Sequence, residues 1–249
     1  EADSAVFESC LFVTNESRLG GAVYTNPIPG SSVAFLGCTF SYNHATGRGG
    51  AVLALDETST FKNCLVWGNT DDSANEQIAE GAGGSATADR CLVEDGWPGD
   101  NLDQPPGFVV SAAAAAVGGQ WDAVEIDDDY RVTVLTDNQA SWTPHSLVGR
   151  LILVDESDDY WSVVYDNTAT QIILRGIAPI PGANVGDAYK LFDLRLAANS
   201  PCVDAGRGDA DTPALDLAGL PRQDLGQSTA NGGVGTPAYV DIGAYERQP

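Results

Sequence analysis

The sequence predicts an all-β protein: a right-handed parallel β-helix carrying an inserted small β-barrel or β-sandwich domain. Three observations predict it. From Ser4 onward one phrase is written almost three times, as SAVFESCLFVTNESRLGGAVYT, SSVAFLGCTFSYNHATGRGGAVLAL and TSTFKNCLVWGNT. Cys10, Cys38, Cys64 and Cys91 follow one another at intervals of 28, 26 and 27 residues, and a fixed period in the twenties marks a solenoid. The repeated runs are short, rich in Val, Phe and Thr, and punctuated by Asn and Gly, which is the chemistry of strands and turns. Helical periodicity and the leucine pattern of horseshoe repeats are both missing from them.

Each element of the repeat has a physical reason. Phe7, Phe35 and Phe61 stand three residues before their cysteines, and Phe12, Phe40 and Val66 stand two after. Side chains alternate along a strand, so a cysteine and the residue two later share its inner face. Cys10, Cys38, Cys64 and Cys91 are therefore read as an interior column of small apolar spacers. Stacked coils lie close enough for disulfides to stay open as an alternative, although five cysteines leave one unpaired within the chain. Asn15, Asn43 and Asn69 fall where a sharp turn is needed, because Asn tolerates left-handed backbone and can hydrogen-bond along a stack. Gly20-Gly21 and Gly49-Gly50 give the next corner its freedom.

Length and charge narrow the function classes. The 249 residues hold two Lys and ten Arg against 35 acidic residues, a formal net charge of −23. Such a surface repels phosphate backbones and anionic lipid, so neither nucleic acid nor membrane insertion is expected. No apolar run reaches the length of a spanning helix, and no basic-then-apolar leader opens the chain. The sequence holds no Met, so Glu1 is read as the start of a mature product or an excised piece, with an uncapped first coil.

In chain order, residues 1–110 read as β-helix coils. The polar stretch Asp71 to Gly84 is expected to leave the third coil as a loop, and Cys91 to Asn101 supplies a fourth, degenerate coil. Residues 111–193 read as the inserted β-domain. Ala112 to Ala116 is a short helix or linker there. It is followed by the alternating segments AVEI, YRVTVLT, LVGRLILV, YWSVVYD, TQIILRGI and VGDAYKLFD, with the polar turns of a barrel or sandwich between them. Residues 194–249 read as a last coil and a closing segment.

Four ordered motifs, CLVEDGWPGDNLDQPPGFV, LRLAANSPCVDAG, DLAGLPR and VDIGAYE, resemble the end of one family. That family is the bacterial extracellular right-handed parallel β-helix proteins of the choice-of-anchor and polymorphic outer-membrane repeat type. With the coils, the resemblance covers about two-thirds of the chain. It implies an exported, cell-surface protein and no single reaction. The resemblance places an anchor or sorting segment after VDIGAYE, where this chain stops at Pro249, and it expects a short link where the 80-odd-residue insertion lies. The insertion is itself similar to TD-x-x-A-S-W … V-G … N-T-A-T … G-D-x-Y inserts of other secreted bacterial proteins.

Candidate chemistry is sparse. Glu16, His44 and Thr70 occupy equivalent positions on the repeat face, with Arg18 and Arg48 just before the glycines. Arg18, Arg48 and His44 are the candidate glycan-binding residues, since two arginines on adjacent coils suit an acidic sugar. The paired carboxylates of a glycoside hydrolase, or the clustered Asp of a calcium-dependent lyase, do not repeat beside them. Calcium is the one cofactor considered. Asp127 to Asp129, Asp155 to Asp159, and above all Asp204, Asp209, Asp211 and Asp216 offer hard oxygen ligands, with Gly206 and Gly208 letting carbonyls converge. Arg207-Gly208-Asp209 spells the integrin tripeptide, which chance explains. Trp97, Trp121, Trp142 and Trp161 read as buried or half-buried aromatics before they read as sugar platforms.

The function read from this is an exported, non-catalytic structural or adhesive surface protein. An uncovered solenoid end exposes unpaired strands. It is therefore expected to meet upstream coils or to self-associate head-to-tail into filaments. The alternative is a carbohydrate-active enzyme, a polysaccharide lyase or glycoside hydrolase, or a glycan-binding module on the β-helix flank.

Overall fold

The computed structural model describes residues 4–25, 31–74, 76–109, 119–127, 129, 131–155, 161–175, 183–222, 232–237 and 239–247. The chain divides into two compact units, residues 1–107 with 195–249, and residues 108–194.

The first unit is a parallel β-solenoid. Its first coil holds β1 (Ser4–Glu8), β2 (Leu11–Val13), β3 (Glu16–Ser17) and β4 (Val23–Thr25). The second holds β5 (Ser32–Leu36), β6 (Thr39–Ser41), β7 (His44–Ala45) and β8 (Val52–Ala54). The third holds β9 (Thr58–Lys62), β10 (Leu65–Trp67), β11 (Thr70–Asp71) and β12 (Ile78–Glu80), and the fourth holds β13 (Ser85–Asp89) and β14 (Leu92–Val93). Equivalent strands pair in parallel from coil to coil, as β1-β5-β9-β13, β2-β6-β10-β14, β3-β7-β11 and β4-β8-β12. The register is the one written in the sequence: Phe7, Phe35 and Phe61 pair in line, as do Phe12, Phe40 and Val66.

Those columns form the core. Phe7 stacks on Phe35 at 5.3 Å and Phe35 on Phe61 at 4.9 Å, while Phe12 stacks on Phe40 at 4.6 Å. Burying a fully enclosed ring such as Phe35, Phe40 or Phe61 stabilises by roughly 1.5–3 kcal/mol. The cysteines are free thiols, and Cys38, Cys64 and Cys91 are buried between the phenylalanine columns. Burial pushes the Cys64 thiol well up, and Cys202 up to about 12, so these groups stay neutral spacers.

The asparagines form a second column. The Oδ1 of Asn43 accepts from the backbone N–H and the side-chain amide of Asn15, at 3.0 and 2.9 Å. Asn69 Oδ1 accepts the same pair from Asn43, at 3.1 and 2.7 Å. Each amide also reaches back to the preceding coil, Asn43 Nδ2 donating to Phe12 O and Asn69 Nδ2 to Phe40 O. The left-handed residue is not the asparagine, as the sequence led us to expect. It is the residue before it, Thr14, Tyr42 and Gly68, with φ of 53°, 55° and 73°. That residue turns the chain while the asparagine satisfies the amides the turn exposes.

The stretch from Asp71 to Gly84 does not leave the coil. Ile78–Glu80 pairs with Val52–Ala54, and Gly50 N and Ala51 N donate to Glu76 O and Gln77 O. The Asp71 carboxylate accepts from Ser73, Ala74, Glu76 and Gly49 amides, and so stabilises this polar corner. Gln77 then ends the amide column: its Oε1 accepts from Asn69 Nδ2 at 2.9 Å and its Nε2 donates to Asn69 O at 2.6 Å.

The second unit is antiparallel. Its strands are β15 (Ala123–Asp127), β16 (Val132–Thr136), β17 (Leu151–Leu153), β18 (Trp161–Asn167), β19 (Gln171–Arg175) and β20 (Lys190–Phe192). They run in the order β15-β16-β19-β18-β17-β20. Just ahead of β15 and β20, Gln120 bridges Ala188, and Trp121 exchanges bonds with Asp187 O and Gly186 N. The sheet thereby closes into a small barrel around Leu135, Ile152, Val164, Ile172, Leu174 and Leu191. Ala112 to Ala116 lies outside the described residues. The remaining strands, β21 (Arg207–Gly208) and β22 (Val234–Gly235), belong to the closing segment and pair with each other.

Asn43→Ala leaves the Phe12 carbonyl without its side-chain donor, takes the acceptor from the Asn15 amides and removes one of the two donors to buried Asn69 Oδ1. It should lower the unfolding free energy by roughly 2–4 kcal/mol, against about 1 kcal/mol for exposed Asn15→Ala. Urea denaturation of the two variants checks the difference.

Candidate functional site

The repeat-face residues do come together. Glu16, His44 and Thr70 pair in register across β3, β7 and β11. His44 Nδ1 lies 3.0 Å from Thr70 Oγ1, and its Nε2 lies 3.8 Å from Asp72 Oδ1. Arg18 is exposed. Arg48 is also exposed, but its guanidinium grips Glu76 with two bonds, Nε to Oε2 at 3.0 Å and Nη2 to Oε1 at 3.2 Å. An acidic sugar at Arg48 would have to displace that carboxylate in a field already strongly negative.

The aspartates of the closing segment separate into different tasks. Asp209 and Asp211 both face Lys62 of β9, Asp209 in direct contact and Asp211 at 3.6 Å. Asp216 is buried, and its carboxylate accepts from Leu220 N at 2.9 Å and Glu246 N at 3.1 Å. Asp204 is buried with its N–H donating to Asp241 Oδ1 at 2.7 Å. Among the described residues no three His, Cys, Asp or Glu side chains are grouped to hold a metal ion. The acidic runs at 127–129 and 155–159 fall partly outside the described residues. The integrin-like tripeptide is not a displayed loop: Arg207 is bonded to Asp89, Asp209 to Lys62, and Gly208 packs against the Pro237 backbone.

The three closing motifs build a buried polar cluster, of which the sequence reading singled out only Asp204 and Asp216. LRLAANSPCVDAG, DLAGLPR and VDIGAYE meet where Arg222, Asp216, Asp241 and Glu246 are all buried. Arg222 Nη1 donates to Glu246 Oε2 at 2.9 Å, and its Nη2 reaches Gly243 O at 3.3 Å and Ser9 Oγ at 3.5 Å. Glu246 Oε2 also accepts from Asp241 N, and the Asp241 carboxylate accepts from Asp204 N and Arg247 N. Gly37 makes room for this: a Cβ there would lie 2.7 Å from Arg222 Nη2. The signal available in the sequence was three motifs that each carry Asp and Gly, the second of them ending on Arg222.

This cluster is the middle of a clasp that crosses the coils at one corner. The corner residues are Ser9, Gly37, Asn63 and Arg90, all with φ between 48° and 58°. Ser9 Oγ donates to Leu215 O, and Thr39 Oγ1, beside Gly37, accepts from Ala244 N. Asn63 donates to Arg207 O and accepts from Arg207 N, while Gly243 N donates to Asn63 O. Arg90 donates to Gly232 O, and Arg207 grips Asp89. Every coil is thus fastened to the closing segment.

In the barrel, the insert motif also converges on structure. Asp137 is buried and accepts from Tyr189 Oη at 2.8 Å, and Tyr189 stacks on Trp121 at 3.9 Å and meets Trp142 edge-on. Burial, then the Asp137 contact, holds the Tyr189 hydroxyl well above its usual range. Asn167 Nδ2 donates to Thr143 O and Thr168 O, and its Oδ1 accepts from Leu147 N. Trp161 packs on Phe192, and Trp97 packs against the solenoid core.

Residues 37–55 match the Chlamydia polymorphic membrane protein repeat. That match covers β6, β7 and β8 of the second coil. Together with the β-solenoid it fits a polymorphic outer-membrane repeat β-helix. No curated protein and no solved structure matches the chain. Among the described residues no helix is long and apolar enough to cross a membrane.

The latch carries a pH signature. Burial, with the facing Asp241 charge, pushes Glu246 up to about 8 against the opposing pull of Arg222, and burial pushes Asp241 up to about 6. Such groups bind more protons folded than unfolded. Their contribution is complete below about pH 4 and is lost as the pH rises through those values. Between pH 6 and 9 ordinary carboxylates are ionised throughout, so the thermal midpoint should fall across that window. Glu246→Gln, whose amide oxygen still accepts from Arg222, should flatten the fall by at least half in a calorimetric series.

Proposed function

We propose that this chain is a structural or adhesive module of a bacterial cell surface, without catalysis of its own. One observation carries the reading. A repeat like that of the polymorphic membrane proteins builds a solenoid in which the repeated residues are committed to stacking, and the closing motifs to fastening the stack. The match to that repeat supports a surface or outer-membrane location. The strongly acidic, lysine-poor surface supports it too, since such a coat resists non-specific contact with anionic lipid and nucleic acid. A choice-of-anchor attachment is part of the proposal, and so is end-on joining of coils. The barrel, whose buried Trp121–Tyr189–Asp137 network fixes one conformation, is a rigid platform for contact with other surfaces.

Antibodies against the solenoid should label intact producing cells, and a strain lacking the protein should lose adhesion to a surface or to neighbouring cells. Labelling only after permeabilisation would overturn the surface reading. Release of oligosaccharides from an acidic polysaccharide by the purified chain would overturn the non-catalytic one.

A further inference from the structure

The two ends of the solenoid differ chemically. Along the interior columns the first-coil members are open. Phe7, Cys10 and Phe12 are half-buried, and Asn15 is exposed. The second-coil members Phe35, Cys38 and Phe40 are fully buried, and Asn43 is 1 % exposed. At the other end the phenylalanine column finishes on the small, half-buried Ala88, and the cysteine column is already shut. Cys91 and Leu92 are fully buried. Leu102 runs parallel over Leu92, and its N–H donates to Cys91 O at 2.8 Å. Asn101 Oδ1 accepts Cys91 N at 2.9 Å. The amide column also finishes there, both ends of the Gln77 side chain being bonded to Asn69.

The open end has an address. Asn43 and Asn69 each accept two hydrogen bonds through Oδ1 from the coil before them. Asn15 Oδ1 accepts none among the described residues, although its own N–H groups are bonded to Asn43. The groups that complete it are a backbone N–H and a side-chain amide, one strand spacing away, from an asparagine in the same register. The ring faces of Phe7 and Phe12 ask for apolar residues three before and two after a small spacer. Leu215, which the clasp holds beside Ser9, is 52 % exposed, and Leu217 and Leu220 are 40 % and 42 % exposed. Leu215 adds an apolar side chain beside this end.

We propose that the first-coil end is a docking surface for one further coil of this same repeat, a β-solenoid coil bearing asparagine and phenylalanine in register, and that the unit terminates such a stack rather than propagating it. This rests on the structural reading above. The tail of a second copy is a poor occupant, because Gln77 and Asn101 have used the amides that Asn15 requires. Two copies head-to-head would face acceptor to acceptor. Either arrangement also brings together two chains of net charge −23. A true coil meets all three demands at once: strand edge, amide and ring.

The test adds the coil. A copy of residues 32–57 is placed directly ahead of Ser4 in the full chain. The thermal midpoint should rise by about 5 °C, and alanine at the copied counterpart of Asn43 should remove at least half of that rise. Amide exchange in Val6–Glu8 and Leu11–Val13 should slow by about tenfold. No rise and no added protection would overturn the proposal, as would a rise indifferent to the asparagine. Sedimentation of the natural chain supplies the second arm. Head-to-tail oligomers growing with concentration would make a second copy the occupant and overturn it as well. Neither result depends on surface labelling, so its failure and that of the surface reading are distinguishable.

Discussion

The column of stacked amides from Asn15 to Gln77 is the constraint on which the solenoid depends. A parallel strand pair fixes the spacing between coils but resists a register slip only through its side chains. Apolar columns alone resist a slip of one residue, which turns them outward, but tolerate a slip of two, because Phe, Val and Cys all accept an apolar neighbour. A buried Asn does not. Its Oδ1 must meet two N–H groups and its Nδ2 must find the carbonyl of the preceding coil, and such a shift would leave several buried polar groups unpaired. Each such loss costs about 1–3 kcal/mol, so the amide column sets the register that the ring stacks then fill. The intervals of 28 and 26 residues between its members show that loops absorb the difference while the column does not.

The clasp depends in turn on that register. Its contacts fall on a corner where every coil holds one left-handed residue, Ser9, Gly37, Asn63 or Arg90. A left-handed residue tips its peptide out of the strand ladder and leaves polar groups for an outside partner. The closing segment supplies that partner with backbone groups and with Arg207 and Arg222. Stacking aligns the corners, and the clasp can follow them only because they are aligned.

What the sequence made legible is what repeats. The phenylalanine, cysteine and asparagine columns carry their register in their spacing, and the barrel strands carry theirs in alternation. Two kinds of feature escaped. Asp71 to Gly84 looks like a loop because its corner uses a carboxylate where earlier coils use Gly-Gly, and because Gln77 reads as a surface residue until the Asn column is seen to need an end. The latch escaped because Arg222, Asp241 and Glu246 belong to no repeat, and the contacts that seat it on the coils, Arg222 with Ser9 and Ala244 with Thr39, span 213 and 205 residues. The glycan candidates illustrate the reverse case. Arg48 and His44 are placed on one face as the spacing required, yet the spacing held no word of Glu76, which takes the arginine.

The distribution of cations shows which contacts hold the clasp. Lys62 faces Asp209, Arg207 faces Asp89 and Arg222 faces Glu246. In a chain so acidic these pairs look like the fastening. Arg207 and Asp89 are more than a third exposed, however, and a solvated pair of this kind contributes only about 0–1 kcal/mol. Arg222 and Glu246 are 3 % and 1 % exposed at the side chain. Removing one partner of such a buried pair costs about 3–5 kcal/mol, because the other is left charged and dry. The exposed pairs steer the closing segment to its corner, and the buried one decides where it stays. A latch built this way is specific because it is expensive to misplace: with Gly37 of the second coil leaving space for the guanidinium and Ser9 of the first coil, Gly243 and Glu246 around it, Arg222 fits one seat across two coils.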